Sequence, residues 1–150
     1  MSAIAGIVLA GGGSARFGSD KLVAPYRGTP LLHRAIERVG EVSDDVIVVL
    51  SPAVADPVLP EGARVVRDES EGEGPLAGLH VGLLAAVRSD LAIVVGGDMP
   101  DLRPSVLRAL VEALRTGGDV AALATGDGPS PLPIAVRTWP AAELMTRSLI

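Results

Sequence analysis

The 150-residue sequence contains no cysteine, which excludes disulfide scaffolds, thiolate zinc sites and cysteine nucleophiles together. Aromatic residues are nearly as scarce at 2%, so the stacking platforms that grip single-stranded nucleic acid are not expected. Basic charge is in deficit as well. The net charge is −5, whereas broad nucleic-acid binding needs a basic stripe. No apolar run approaches the roughly 20 residues that cross a bilayer, and the apolar start at 4–10 carries no basic leader. A cytoplasmic protein that binds neither nucleic acid nor membrane is therefore expected. The two histidines, His33 and His80, lack the serine, cysteine or paired carboxylates that would make a triad. Each reads as a partly exposed helix residue, and Met99 and Trp139 read as packing residues.

Hydrophobic residues make up 48% and charged residues 21%, the balance of one globular domain spanning 1–150. Short β-branched runs occur at 4–9, 46–50, 63–66, 91–95 and 120–123, bounded by Gly, Asp, Pro or Ser. Continuous apolar runs of this length suit strands buried on both faces. Between them, Leu31, Leu32, Ala35, Ile36 and Val39 share one helix face, with Thr29-Pro30 as the expected cap and first turn. Leu76, Leu79, Leu83, Leu84 and Val87 predict a second face. Val106, Leu107, Leu110, Val111 and Leu114 predict a third, entered near Pro104 and ended by Gly117-Gly118. Segments 57–62 and 125–133 read as turn-rich connections. The alternation predicts a three-layer α/β/α fold with an open, mostly parallel, twisted Rossmann-like sheet and right-handed crossovers. Ligands of such sheets sit outside the carboxyl ends of the strands, which directs attention to the residues after Leu9 and after Val95.

After Leu9 the chain reads Ala10-Gly11-Gly12-Gly13-Ser14-Ala15-Arg16-Phe17-Gly18-Ser19-Asp20-Lys21. A dinucleotide fingerprint begun at Gly11 fails because Arg16 stands where its last glycine belongs. A Walker A loop begun at Gly13 fails because Ser19 stands where its lysine belongs. What remains is a glycine-rich loop able to turn several N–H groups toward one anion, with two cations close by. A tight turn with solvated cations is equally compatible with these residues alone. The second segment, Val94-Val95-Gly96-Gly97-Asp98-Met99-Pro100, ends a strand in a carboxylate with room beside it for a hydrated cation. A turn or capping aspartate is the other reading of Asp98.

The run Leu9-Ala10-Gly11-Gly12-x-Ser14-x-Arg16-x-Gly18-x-Asp20-Lys21, followed by Pro25, Gly28 and Pro30-Leu31, resembles the signature of the MobA-like NTP transferase family. This is the family of the molybdenum cofactor guanylyltransferases. The similarity extends over about residues 4–137 and implies a nucleotidyltransferase of the nucleotide-diphospho-sugar transferase fold type. It implies that Leu9, Ala10, Gly11, Gly12, Gly13 and Ser14 wrap the triphosphate, with Lys21 on its phosphates and Arg16 facing them. Asp98, in an Asp-x-Pro, matches the family's magnesium ligand. Asp68 and the segment 74–78, with Gly78, resemble the stretch around the base and ribose. Ser51 falls where these enzymes usually carry an asparagine near the nucleotide. The implied reaction is transfer of GMP from GTP to the molybdopterin cofactor with release of pyrophosphate, with Mg²⁺ as cofactor and molybdoenzyme-maturation proteins as partners. The family's closing asparagine and aspartate segment on the acceptor side is not found before Ile150, so the expectation is either an abbreviated acceptor half or a sequence that is incomplete at its acceptor-binding C-terminal end. Alternatives are a cytidylyltransferase on the same pterin, a nucleotidyltransferase on another phosphorylated acceptor, an NAD-binding oxidoreductase, and a nucleotide-binding module without turnover.

Overall fold

A computed structural model describes residues 3–10, 25–26, 29–52, 57–68, 75–99 and 101–148. In chain order the elements are β1 (Ile4–Leu9), β2 (Pro25–Tyr26), β3 (Thr29–Pro30), α1 (Leu31–Gly40), β4 (Asp45–Leu50) and β5 (Ala63–Arg67). They continue with α2 (Pro75–Ala85), β6 (Leu91–Gly96), α3 (Pro104–Thr116), β7 (Val120–Thr125), β8 (Gly128–Arg137) and α4 (Thr138–Ser148). Six strands form one sheet in the order β5-β4-β1-β6-β8-β7, and β2 and β3 pair as a separate antiparallel ribbon. The first four strands of that order run parallel, while β8 runs antiparallel to both of its neighbours.

Alternation along each strand divides the core in two. Val8, Val48, Ile93 and Val95 face α1 and α3, through Leu32, Ala35, Leu107 and Leu114. Ile7, Ile47, Val49 and Val94 face α2 and α4, through Leu83, Ala86 and Ala142. Because both faces are covered, β6 is buried at every position, and the strand reads as an unbroken apolar run without alternation. The predicted three-layer α/β/α sheet is therefore present.

The crossovers do not share one hand. From β1 the chain steps to β4 in one direction across the face carrying α1; from β5 it steps to β6 in the other direction across the opposite face. These two agree. The β6–α3–β7 connection steps in that second direction but on the α1 face, so its hand is opposite. This crossover, which passes over the interposed antiparallel β8, departs from the usual shared hand of connections between parallel strands.

Four further local expectations are corrected. The segment 125–133 is not a simple connection, since β8 begins at Gly128. Its prolines at 129, 131 and 133 all precede Ile134–Arg137, the residues that pair with β6, so no ladder bond to that central strand is lost. Helix α1 starts at Leu31 without a side-chain cap, and Thr29 and Pro30 belong to β3. The α2 face also differs: Leu76, Leu84 and Val87 are exposed, while Ala77, Leu83 and Ala86 are buried. This helix is apolar nearly all round, so periodicity selects no face. Shape selects it instead, through Gly82, whose added Cβ would lie 2.7 Å from Ile7 Cγ2 and 3.2 Å from Val49 Cγ2. Trp139 is 63% exposed rather than packed.

Candidate nucleotide and metal site

Since β5, β4, β1 and β6 run parallel, their carboxyl ends meet at one edge of the sheet. The ladder continues just past them: Ala10 N–H donates to Val49 O at 2.9 Å, Asp68 N–H to Leu50 O at 2.9 Å, and Gly97 N–H to Leu9 O at 3.0 Å. Across this edge the order is Asp68, Ser51, Ala10, then Gly97 and Asp98. Strand order reverses between β1 and β6, where an open α/β sheet leaves a crevice. Ala10 and Asp98 stand on its two sides.

Leu9, Ala10, Ser51, Asp68, Gly78 and Asp98, each singled out from the sequence, come to this edge. Gly11, Gly12, Gly13, Ser14, Arg16 and Lys21 lie outside the described residues. The described chain fixes only where their segment leaves, at Ala10, and where it returns, at Pro25. Neighbouring strands are about 4.8 Å apart, so the ends of β5 and β6 that Asp68 and Asp98 follow, with two strands between, stand roughly 14 Å apart. The two carboxylates do not share one ion. Among the described residues no group of three His, Asp or Glu side chains is placed to hold a metal.

Asp98 is exposed, on a tight turn in which Met99 N–H donates to Gly96 O at 3.3 Å. Its carboxylate folds back over Gly96: a Cβ on Gly96 would lie 2.8 Å from Asp98 Oδ1. Glycine at 96 therefore leaves the space that the carboxylate occupies. At the other end of the edge, a Cβ on Gly78 would meet Asp68 Oδ2 and Val49 Cγ1 at 3.7 Å and Leu9 Cδ2 at 4.0 Å. These are ordinary contacts. Close helix–sheet packing thus explains Gly82, which the sequence reading missed, and not Gly78. The repeat of glycine at 78 and 82, one helical turn apart, was the available signal. A second residue missed from sequence is Arg67, whose Nη1 donates to Ser51 O at 2.8 Å and ties the exit of β4 to the end of β5.

The two histidines are hydrogen-bonded to groups other than the residues named above. His33 bonds the Val58 carbonyl and His80 bonds Thr146 Oγ1. A clear electrostatic perturbation lies at the opposite end of the strands. There Arg64 donates to both carboxylate oxygens of Asp45 at 3.0 and 2.8 Å. This fork holds the Asp45 carboxyl below its usual range, chiefly by hydrogen bonding, and raises Arg64 for the same reason. It joins β4 to β5 and is structural.

A mixed sheet of this order, with its crevice at the carboxyl ends of β1 and β6, defines an open three-layer α/β protein. Residues 6–148 match the family model described as "MobA-like NTP transferase domain", and the chain belongs to that family. A curated relative from Chloroflexus aggregans, a probable molybdenum cofactor guanylyltransferase, is 41% identical over 112 residues, 73% of this chain and 52% of the relative. The chain thus spans about half the length of that relative. Among solved structures, Rv0371c of Mycobacterium tuberculosis superposes with a TM-score of 0.73 at 26% identity, covering 97% of this chain and 77% of that one. A manganese complex of Rv0371c gives 0.70. The molybdopterin-guanine dinucleotide biosynthesis protein A of Archaeoglobus fulgidus gives 0.69 at 24% identity, over 96% of this chain and 72% of that one, a likeness of fold. No helix among the described residues is long and apolar enough to cross a membrane.

Proposed function

We propose that the chain is a magnesium-dependent nucleotidyltransferase that moves GMP from GTP to the phosphate of a molybdopterin acceptor and releases pyrophosphate. The observation that carries this reading is the presentation of Asp98 across the crevice from Ala10, where the family's glycine loop, with Arg16 and Lys21, leaves β1. The names of the guanylyltransferase relatives support the guanine and pterin assignments.

In this reading an ionised acceptor phosphate oxygen attacks the α-phosphorus. The new P–O bond forms as the bond to the bridging oxygen of the β-phosphate breaks, and pyrophosphate leaves with that electron pair. A phosphate monoester already carries charge near neutral pH, so the nucleophile needs no strong base. This accords with histidines whose ring nitrogens are engaged by Val58 O and Thr146 Oγ1. The barrier is repulsion between polyanions, and Lys21, Arg16 and the loop N–H groups from Gly11 to Ser14 counter it. A single exposed carboxylate suits a magnesium ion, which takes one or two protein carboxylates and keeps water and phosphate oxygens. Bound there, the cation would neutralise charge on the phosphates. Asp98 would hold it. Asp68, Ser51 and Gly78 would receive the nucleoside, with molybdoenzyme-maturation proteins taking the product in the cytoplasm.

Thermal denaturation with GTP, CTP, ATP and NAD, each with and without Mg²⁺, tests the proposal. A ligand at 100 times its dissociation constant adds about 2.7 kcal/mol. Stabilisation by GTP that requires Mg²⁺ is expected. Stabilisation by NAD with none from the triphosphates would overturn the reading.

A further inference from the structure

Backbone bookkeeping along β6 leaves one amide for a side chain to satisfy. Leu91 N–H donates to Ala3 O at 3.3 Å and Gly97 N–H to Leu9 O at 3.0 Å, so the odd-numbered amides of β6 face β1. Successive amides alternate across a strand, and that of Gly96 therefore faces β8. Pairing between β6 and β8 ends at Val94 and Ile134. Gly96 is buried, and a buried N–H without an acceptor is costly. Its acceptor is the Met99 thioether, with the Gly96 nitrogen 3.2 Å from Sδ. Met99 N–H returns a bond to Gly96 O at 3.3 Å. The two residues clamp each other reciprocally, and Asp98 lies inside the clamp with its carboxylate over Gly96.

We infer that Met99 is a positioning residue, whose sulfur fixes the turn that presents Asp98 to a divalent cation. The inference rests on the reading of Asp98 as a cation ligand. Methionine suits the position because it is apolar enough for a half-buried site while its polarizable sulfur accepts a weak bond. Leucine would fill similar space and accept nothing.

The test compares the full chain with Met99→Leu and Met99→Gln by amide hydrogen exchange at Gly96, Mn²⁺ titration in the presence of GTP, and thermal denaturation. In the leucine variant, exchange at Gly96 should rise about five-fold, the factor for one modest hydrogen bond, and Mn²⁺ affinity should fall by a similar factor. Glutamine, which offers an amide oxygen, should recover part of both. Unchanged exchange at Gly96 in the leucine variant would overturn the proposed bond. Faster exchange with unaltered Mn²⁺ affinity would overturn the positioning role, and so would a lower Tm with neither local effect. If the unaltered protein bound no Mn²⁺ with GTP, the reading of Asp98 would fall and the inference with it. Exchange at Gly96 would still report separately on the bond.

Discussion

Two glycines one turn apart on α2 should respond to the same substitution with opposite signs. Alanine in place of glycine inside a helix gains roughly 0.5–1 kcal/mol from propensity. At position 78 the new methyl meets its neighbours at 3.7 Å or more, so the gain should survive. At position 82 the methyl would lie 2.7 Å from Ile7 Cγ2 and 3.2 Å from Val49 Cγ2. Ile7 and Val49 are 0% and 2% exposed, their branched side chains have few alternative rotamers, and their strands are fixed on both sides. Overpacking of this kind costs about 1–3 kcal/mol. The propensity gain is common to both variants and cancels in their difference. Gly82→Ala should therefore be less stable than Gly78→Ala by about 2 kcal/mol, which for a chain of this size separates their Tm values by roughly 4–8 °C. Urea and thermal denaturation followed by circular dichroism measure both quantities. Equal stability of the two variants would refute the assignment of close helix–sheet contact to Gly82 alone.

Asp98 is exposed, so Asp98→Asn should leave the urea midpoint nearly unchanged, within about 0.5 kcal/mol, while slowing magnesium-dependent pyrophosphate release about 100-fold or more. Lys21→Ala should slow the same release by a comparable factor at saturating GTP and Mg²⁺; full activity would remove Lys21 from the phosphate site. The Asp45–Arg64 fork lowers the folded-state pKa of Asp45 below its ordinary 3.8. Its contribution is therefore complete above that value and is lost as pH falls through the lower folded-state pKa. The pair is partly exposed, so wild type should exceed Asp45→Asn by about 0.5–1 kcal/mol near neutral pH. Urea titrations should show that gap closing below pH 3.8, and a gap that persists in acid would show that the fork is not its source.

By itself the sequence determined the central strands and the α1 and α3 faces, and it directed attention to the residues after β1 and β6. Strands covered on both sides must be apolar at every residue, so β1, β4 and β6 announce themselves. Helices with one wet face, α1 and α3, carry a period. Where those physical conditions lapse, only tertiary structure decided. Strand β8 is rich in proline because much of it lies beyond its partner β6, and its composition therefore resembled a turn. Helix α2 is apolar on all sides, so the buried face was set by which side could approach Ile7 and Val49. At the candidate site, residue types and their family pattern singled out Leu9, Ala10, Ser51, Asp68, Gly78 and Asp98. Their arrival at one edge follows from the parallel order β5-β4-β1-β6. What no pattern could supply was the distribution along that edge. Asp68 and Asp98 are separated by the width of the intervening strands, and the Met99 sulfur becomes an acceptor only because β8 stops pairing at Val94, two residues short of Gly96.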